Sequence, residues 1–451
     1  MTCPRPDTSR EASYLQDAKW PHRHGATGIL RALRICGELP VARLRAAVTE
    51  VSTALPVLTW NAVVDGARLR FRPGTGPTFV ELATQDGESA AVALLRAERD
   101  RPVAAERDAM VRFLFIRCGP AESVLGLVAD ELLLDERAVY HVLAAVMECY
   151  AGRFRPEHHR DITTMATFEP LTDAARANRR TWWSRWLAAG PANGGWVDAA
   201  DGWSAETVTR RLDVPGPRWR ALAAVGGTLR DNGSMAVLAL VAWALRDSGP
   251  DHGAADQRAV ELATVLDLRD ILGLGDIVGP LTDRVVLRVD LPSDAGAGPS
   301  FRELLRRAQA GLLRSVTHYL PYPELIGLGL ELELIDPVRP AARWGAQVHL
   351  CRNPPRSGPA RDAGTAEVLG AEVELFRESD LLAGSVAPSL PHWDGSWLNI
   401  HIGESDGGTA VLAEAMGPDA EHHADRLVRD LGWLIEQAEA DPDAPLTTNA
   451  P

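Results

Sequence analysis

Residues 123–152 read SVLGLVADELLLDERAVYHVLAAVMECYAG. The stretch begins as an apolar strand running to Ala129. A turn follows in which Asp130, Glu131, Asp135 and Glu136 bracket three leucines. Val139, Val142, Leu143, Val146 and Tyr150 then fall on one side of a helix, the pattern of a helix buried along one face. Four carboxylates between a buried strand and a buried helix are a costly way to build a core. An ionised carboxylate loses several kcal/mol on leaving water unless it is paired or hydrogen-bonded. A chemical task or a set of partners must hold them there.

The surrounding chain bounds what that task can be. It has 451 residues, 46% of them apolar, which is enough for two or three domains or a pseudo-dimer of similar halves. The 47 basic and 61 acidic residues give a net charge of −14. No block of lysine and arginine stands out, which argues against a nucleic-acid partner. Arg176, Arg179, Arg180 and Arg185 form a local basic group, either a patch for an acidic carrier protein or a solvated helix face. Cys3, Cys36, Cys118, Cys149 and Cys351 are odd in number and scattered, as free thiols in a reducing compartment are. The polar N-terminus has no signal core, and no apolar run approaches the roughly 20 residues of a membrane span. These features predict a soluble cytoplasmic protein.

Read along the chain, 27–37, 67–73, 110–118 and 123–129 suit strands, the last two as a hairpin about Gly119-Pro120. Helical patterns cover 40–55 and 86–106, and a tryptophan-rich helix covers 172–189. In the second half, strands are predicted at 206–212, 259–267, 284–290, 344–352, 367–376, 396–403 and 408–416. Helices are predicted at 217–225, 233–247, 301–316 and 420–439. The domain plan is a flexible leader at 1–12, an N-terminal lobe at 13–170, and an inter-lobe helix and linker at 171–205. A C-terminal lobe at 206–440 and a tail at 441–451 complete it. Both halves mix strands and helices without strict alternation, which makes the fold class α+β. No internal sequence repeat is evident.

The 123–152 stretch resembles the active-site region of the condensation-domain superfamily of non-ribosomal peptide synthesis, where a strand ends in HHxxxDG. The seven positions here run from Asp130 to Glu136; both histidines are replaced and the aspartate is Asp135. The DxxxxDxxS pattern of heterocyclization domains is closer: Asp130, Asp135 and Ala138 fall in its places, with Ala for the final Ser. Further matches follow in family order. Ser13, Gln16 and Trp20 keep three places of SxAQxRLW, and residues 54–60 keep only the leucine of RHExLRT. Asp267-Leu268-Arg269 resembles N-x-R. Ile277-Val278-Gly279 with Leu281-Thr282 resembles IGxFVNT and GDFT, with Pro280 in place of the latter's Asp. Phe301 to Leu305, then His318, Pro321, Tyr322 and Leu325, resemble the later helix and HQxYPFxxL. Asn399 stands where heterocyclization domains carry the Asp of LDxQ.

This resemblance implies two chloramphenicol-acetyltransferase-like lobes set as a V-shaped pseudo-dimer, with a tunnel for substrates tethered to the phosphopantetheine of acyl or peptidyl carrier proteins. It implies no bound cofactor and no metal. Glu131 takes the place of the motif's second histidine: either it is a general base, raised in pKa by burial, or it pairs with an arginine and is chemically idle. Asp130 orients an amine or a water, or only caps the turn. Asp135 is expected to be structural, paired with a basic side chain. Thr282, His318 and Asn399 are candidates for lining the tunnel. The tryptophans at 182, 183 and 186 are expected to pack between the lobes. The implied function is that of a free-standing, non-standard condensation- or heterocyclization-like protein of natural-product biosynthesis, making an amide, an ester or a ring. The alternative is an inactive member that binds a carrier-held peptide and recruits a tailoring enzyme.

Overall fold

A computed structural model describes residues 10–12, 16, 28–65, 68–165, 171–189, 207–225, 232–246, 259–291, 298–337, 343–344, 346–350, 365–376, 381, 398–405, 408–417 and 419–447. Its elements begin with β1 (Arg10–Glu11), β2 (Gly28–Cys36) and α1 (Val41–Ala54). Strands β3 (Trp60–Asp65), β4 (Arg68–Pro73) and β5 (Thr78–Ala83) precede α2 (Gly87–Arg99). The hairpin β6 (Val111–Arg117) and β7 (Glu122–Asp130) leads to α3 (Glu136–Tyr150), and α4 (Asp173–Ala188) follows. Next are β8 (Thr207–Pro215), α5 (Gly216–Val225), α6 (Asn232–Leu245), β9 (Ala259–Asp267) and the short α7 (Leu268–Leu272). After β10 (Thr282–Asp290) come α8 (Phe301–Thr317), α9 (Tyr322–Glu331), β11 (Ala346–Leu350), β12 (Thr365–Val368) and β13 (Ala371–Leu375). The chain closes with β14 (Leu398–Ser405), β15 (Gly408–Met416) and α10 (Ala420–Ala440).

Two compact units share these elements. Unit 1 takes Met1–Pro170, Asp267–Thr282 and Asn353–Ala387; unit 2 takes Leu171–Leu266, Asp283–Arg352 and Pro388–Pro451. The second half is therefore not one contiguous lobe over 206–440: it gives unit 1 the α7 segment and the β12–β13 hairpin. The α4 helix, expected as an inter-lobe element, belongs to unit 2.

Unit 1 is built on a six-stranded sheet of order β12-β13-β2-β7-β6-β5, antiparallel except for β5 against β6. Its central strands read as continuous apolar runs because both faces are covered. Leu33 and Ile35 of β2 and Leu125 and Leu127 of β7 join the main core with α1 and α3. Leu30, Ala32, Val124 and Val128 face a second cluster with Leu95 of α2. Gly126 permits that second contact: a Cβ there would stand 2.1 Å from Leu95 Cδ2. The stretch 367–376, expected as one strand, is two. Leu369 and Gly370 turn the chain with φ of 52° and 87°, the double positive φ of a type I′ hairpin. The helix expected over 86–106 stops at Arg99. The strands at 60–65 and 78–83 and the helix at 322–331 were not read from the sequence.

Unit 2 carries a sheet of order β10-β9-β11-β14-β15-β8. Strands β9, β11 and β14 run parallel, and β14, β15 and β8 run antiparallel. Val260, Leu262, Val348, Ile400, Val411 and Ala413 pack under α6, α8 and α10. A smaller cluster gathers Trp183, Leu187, Tyr322, Leu325 and Trp344. Trp183 thus belongs to a core within unit 2. The expected tail is docked as far as Thr447: Leu446 is buried and donates its N–H to the Pro299 carbonyl at 3.0 Å, and Thr447 pairs with Gln437. Of the expected leader at 1–12, residues 1–9 lie outside the described residues, as does the linker at 190–204, whereas Arg10 and Glu11 are no free leader but pair as β1 with Phe71 and Arg70 of β4. No helix among the described residues is long and apolar enough to cross a membrane.

Candidate active site

Strand β7 ends at Asp130, whose N–H donates to the Met110 carbonyl at 2.8 Å. Its Oδ1 accepts from Leu132 N–H at 3.0 Å, and its carbonyl accepts from Leu133 and Leu134 at 2.9 and 3.2 Å. One aspartate thus folds the turn over itself. Leu132, Leu133 and Leu134 are fully buried in the unit 1 core. The Leu132 carbonyl accepts from the Gln16 side chain at 2.6 Å, so the motif glutamine near the start of the chain buttresses this loop.

Asp135 opens α3 as its N-cap, accepting from Ala138 N–H at 2.9 Å. It is 2% exposed and grips Arg269 with both oxygens, at 2.7 and 3.1 Å; Oδ2 also accepts from Leu281 N–H at 2.7 Å. Arg269 spends the rest of its fork on the carbonyls of Ile277 and Gly279, at 2.7 and 2.6 Å, and on Asp267 at 3.2 Å. Its five N–H donors therefore meet five contacts. Burial alone would lower the Arg269 pKa, but Asp135 and Asp267 outweigh it and hold the guanidinium above its ordinary value. A buried ion pair of this kind is tolerable only when every remaining donor is satisfied.

Further charged groups lie beside it. Arg137, on the first turn of α3, reaches Asp267, Asp270 and Asp276 at 2.9, 2.9 and 3.0 Å. His141, one turn on, stands 3.4 Å from Asp276, and burial pushes its imidazole below the ordinary value against the pull of that carboxylate. Glu136 meets the buried Arg31 of β2 at 2.5 Å. Asp161 is equally buried; it accepts from Val57 and Thr163 N–H at 2.8 Å each, tying the segment at the RHExLRT place to the loop around Val278.

Glu131 differs from its neighbours. It is half-buried and makes no hydrogen bond or ion pair among the described residues. The arginine partner that would have left it idle is not among them.

The remaining predicted positions fall in both units. Thr282 is half-buried where β10 begins, next to the Leu281 that binds Asp135. His318 ends α8; its carbonyl accepts from Trp183 Nε1 at 2.8 Å and its ring stacks on Trp182 at 4.3 Å and 9°. Asn399 is fully buried on β14, its Oδ1 3.4 Å from His349 Nε2. His349 stacks on His401 at 4.6 Å, and His401 stands 3.3 Å from Glu414. Of the arginine group on α4, Arg176 pairs with Glu324, Arg180 with Glu331, and Arg179 donates to the Tyr319 carbonyl; Arg185 is exposed. The sequence missed Arg137, His141, Asp161 and the two stacked histidines. Their partners are remote in the chain, and only the N-x-R match at Arg269 gave any signal.

No family model matches the chain, and no curated protein does. Solved structures do. The starter condensation domain of rhizomide synthetase RzmA, in complex with C8-CoA and Leu-SNAC, is 15% identical with a TM-score of 0.72, covering 97% of this chain and 96% of that one. The X-domain from teicoplanin biosynthesis, also solved as a complex with OxyB, is 19% identical with a TM-score of 0.69, covering 99% of each chain. The tallysomycin biosynthesis protein TlmII is 37% identical with a TM-score of 0.78, covering 97% of this chain and all of that one. The chain belongs to the condensation-domain superfamily. Its two units carry the α+β, chloramphenicol-acetyltransferase-like architecture of that superfamily over nearly the whole chain.

Proposed function

We propose that this condensation-domain protein transfers an acyl or peptidyl group, held as a thioester on a carrier protein's phosphopantetheine, to a nucleophile, with Glu131 as the group that takes the proton. One observation carries the reading. Of the four carboxylates on the loop, Asp130, Asp135 and Glu136 are tied to named partners, and Glu131 has none among the described residues. It occupies the second histidine's place, beside three fully buried leucines. A carboxylate within hydrogen-bond reach of the acceptor can take its proton. The new C–N or C–O bond forms as the C–S bond breaks. The nucleophile's proton passes to Glu131, and the departing thiolate is then protonated. The C8-CoA and Leu-SNAC held by a mutant of the RzmA starter condensation domain support this reading.

In this reading Asp130 shapes the turn and Asp135 anchors it, while Thr282, half-buried beside Leu281, contacts substrate; Asn399, fully buried on β14, has a structural role. His318, committed to Trp182 and Trp183, has a packing role. A cytoplasmic setting suits the free thiols Cys36, Cys118 and Cys149; burial beside Glu50 pushes Cys149 up to about 11, which keeps it inert. A second reading rests on the replacement of both motif histidines and on the teicoplanin X-domain, which is found in complex with OxyB. There the protein binds a carrier-held peptide and recruits a tailoring enzyme.

One assay separates the two. The protein is given acyl-loaded carrier and an amine or hydroxyl acceptor, and product is followed by mass spectrometry. Glu131→Gln keeps the shape and loses the proton acceptor, so the rate should fall roughly 100-fold or more. Full turnover in the Gln variant removes Glu131 from the chemistry. Carrier binding without turnover by the wild type supports the recruiting module.

A further inference from the structure

A cavity of about 350 Å³ in unit 2 is used by nothing in the reading above. Three elements wall it. Trp182 and Trp186 are one turn apart on α4, Arg288 and Asp290 share one face of β10, and Gly311 and Arg314 come from α8. Gly311 lets α8 close on the strand: a Cβ there would lie 2.4 Å from the Arg288 carbonyl oxygen. The volume lies at the small end of the range of small-molecule pockets, roughly 300–1,000 Å³.

The charges in the cavity are not equally engaged. Asp290 accepts from Arg314 at 2.8 Å, so that pair is self-contained. Arg288 is 26% exposed, and among the described residues its guanidinium donates no hydrogen bond. The carboxylate nearest to it, that of the fully buried Glu261, is 3.9 Å away and stands closer to Arg343, at 3.5 Å. A guanidinium offers five donors in a planar fork that matches a carboxylate. Neither the Trp182 nor the Trp186 indole N–H has an acceptor among the described residues. The cavity thus joins a cationic fork with unspent donors to two indole rings, which take flat apolar groups. A cation meets two guanidinium groups here. A bare inorganic anion leaves the indole surface unused.

We propose that this cavity binds a small aromatic carboxylic acid, its carboxylate on Arg288 and its ring against Trp182 and Trp186. The lining shares no residue with the acidic loop, so this binding is tested independently of the acyl-transfer reading.

The test is calorimetric titration of the full-length protein with phenylacetate, with 2-phenylethanol as its neutral counterpart and inorganic phosphate as the anion without a ring. Phenylacetate should bind saturably, and the other two at least about tenfold more weakly, the size of effect expected when one charge-assisted contact or the apolar contact is lost. Arg288→Lys keeps the positive charge beside Glu261, so its fold is retained, and should weaken phenylacetate about tenfold through loss of the fork. Trp186→Leu should weaken it likewise, whereas Trp186→Phe should retain binding; melting temperatures confirm that each variant is folded. Absence of saturable phenylacetate binding overturns the proposal. So does equal binding of phenylethanol or phosphate, or indifference to both Arg288→Lys and Trp186→Leu.

Discussion

Replacing Asp135 with Asn keeps its shape and still leaves an oxygen for Ala138 N–H. The new amide, however, faces donors on Arg269 and on Leu281. Two donors then meet without an acceptor, and the Arg269 charge is left buried. We expect Asp135→Asn to cost about 3–5 kcal/mol in chemical denaturation, the usual cost of removing one partner of a buried pair. Replacing both Asp135 and Arg269 by apolar residues should cost less than the two single changes added together, because the residues share one network. His141 adds a pH dependence. Its folded pKa lies below its ordinary value, so the unfolded chain takes up the proton first as pH falls. Stability should therefore drop as pH falls through the ordinary imidazole value of about 6.5 toward the lower folded one, and His141→Gln should flatten that slope. At this scale the sequence showed the acidic loop and its register. It did not show what holds each carboxylate, because Asp135 and Arg269 are 134 positions apart. The lone standing of Glu131 emerged only once its neighbours' partners were in place.

Elements with strong periodicity were legible to within a few residues: the hairpin β6–β7, and α1, α3, α6, α8 and α10. What escaped were features decided by contact. Leu369 takes a positive φ that no propensity predicts, because the two strands it joins are paired. The β5 strand has no fully buried residue and gave no apolar run. The helix at 322–331 was hidden behind its opening Pro321-Tyr322-Pro323. Close packing between elements offers its own test. A methyl group at Gly311 meets backbone, not a movable side chain, so α8 must lift from β10. Gly311→Ala should destabilise the protein by about 1–3 kcal/mol despite the better helix propensity of alanine, measured as a lower denaturation midpoint.

At the scale of the molecule, the chain does not divide where its composition suggests. The stretch 13–170 reads as a complete lobe, yet unit 1 also needs Arg269 from the segment Asp267–Thr282 and the β13 strand that edges β2. Expressed alone, residues 1–170 should yield an aggregating or molten species by circular dichroism and proton spectra. Adding back a peptide spanning 267–282 should not restore it, because β2 still lacks its neighbour. A compact, cooperatively melting 1–170 fragment would show that these late segments are dispensable. The same weave has a consequence in time. Arg34 on β2 meets Glu374 on β13 across 340 positions, so at ribosomal speeds of about 5–20 residues per second the edge of β2 waits on the order of 20–70 s for its partner. Throughout that interval the nascent chain presents an open strand edge, the feature most prone to pairing with the wrong chain. The protein's yield in a cell should thus depend on translation rate and holdase chaperones more steeply than its final stability would suggest.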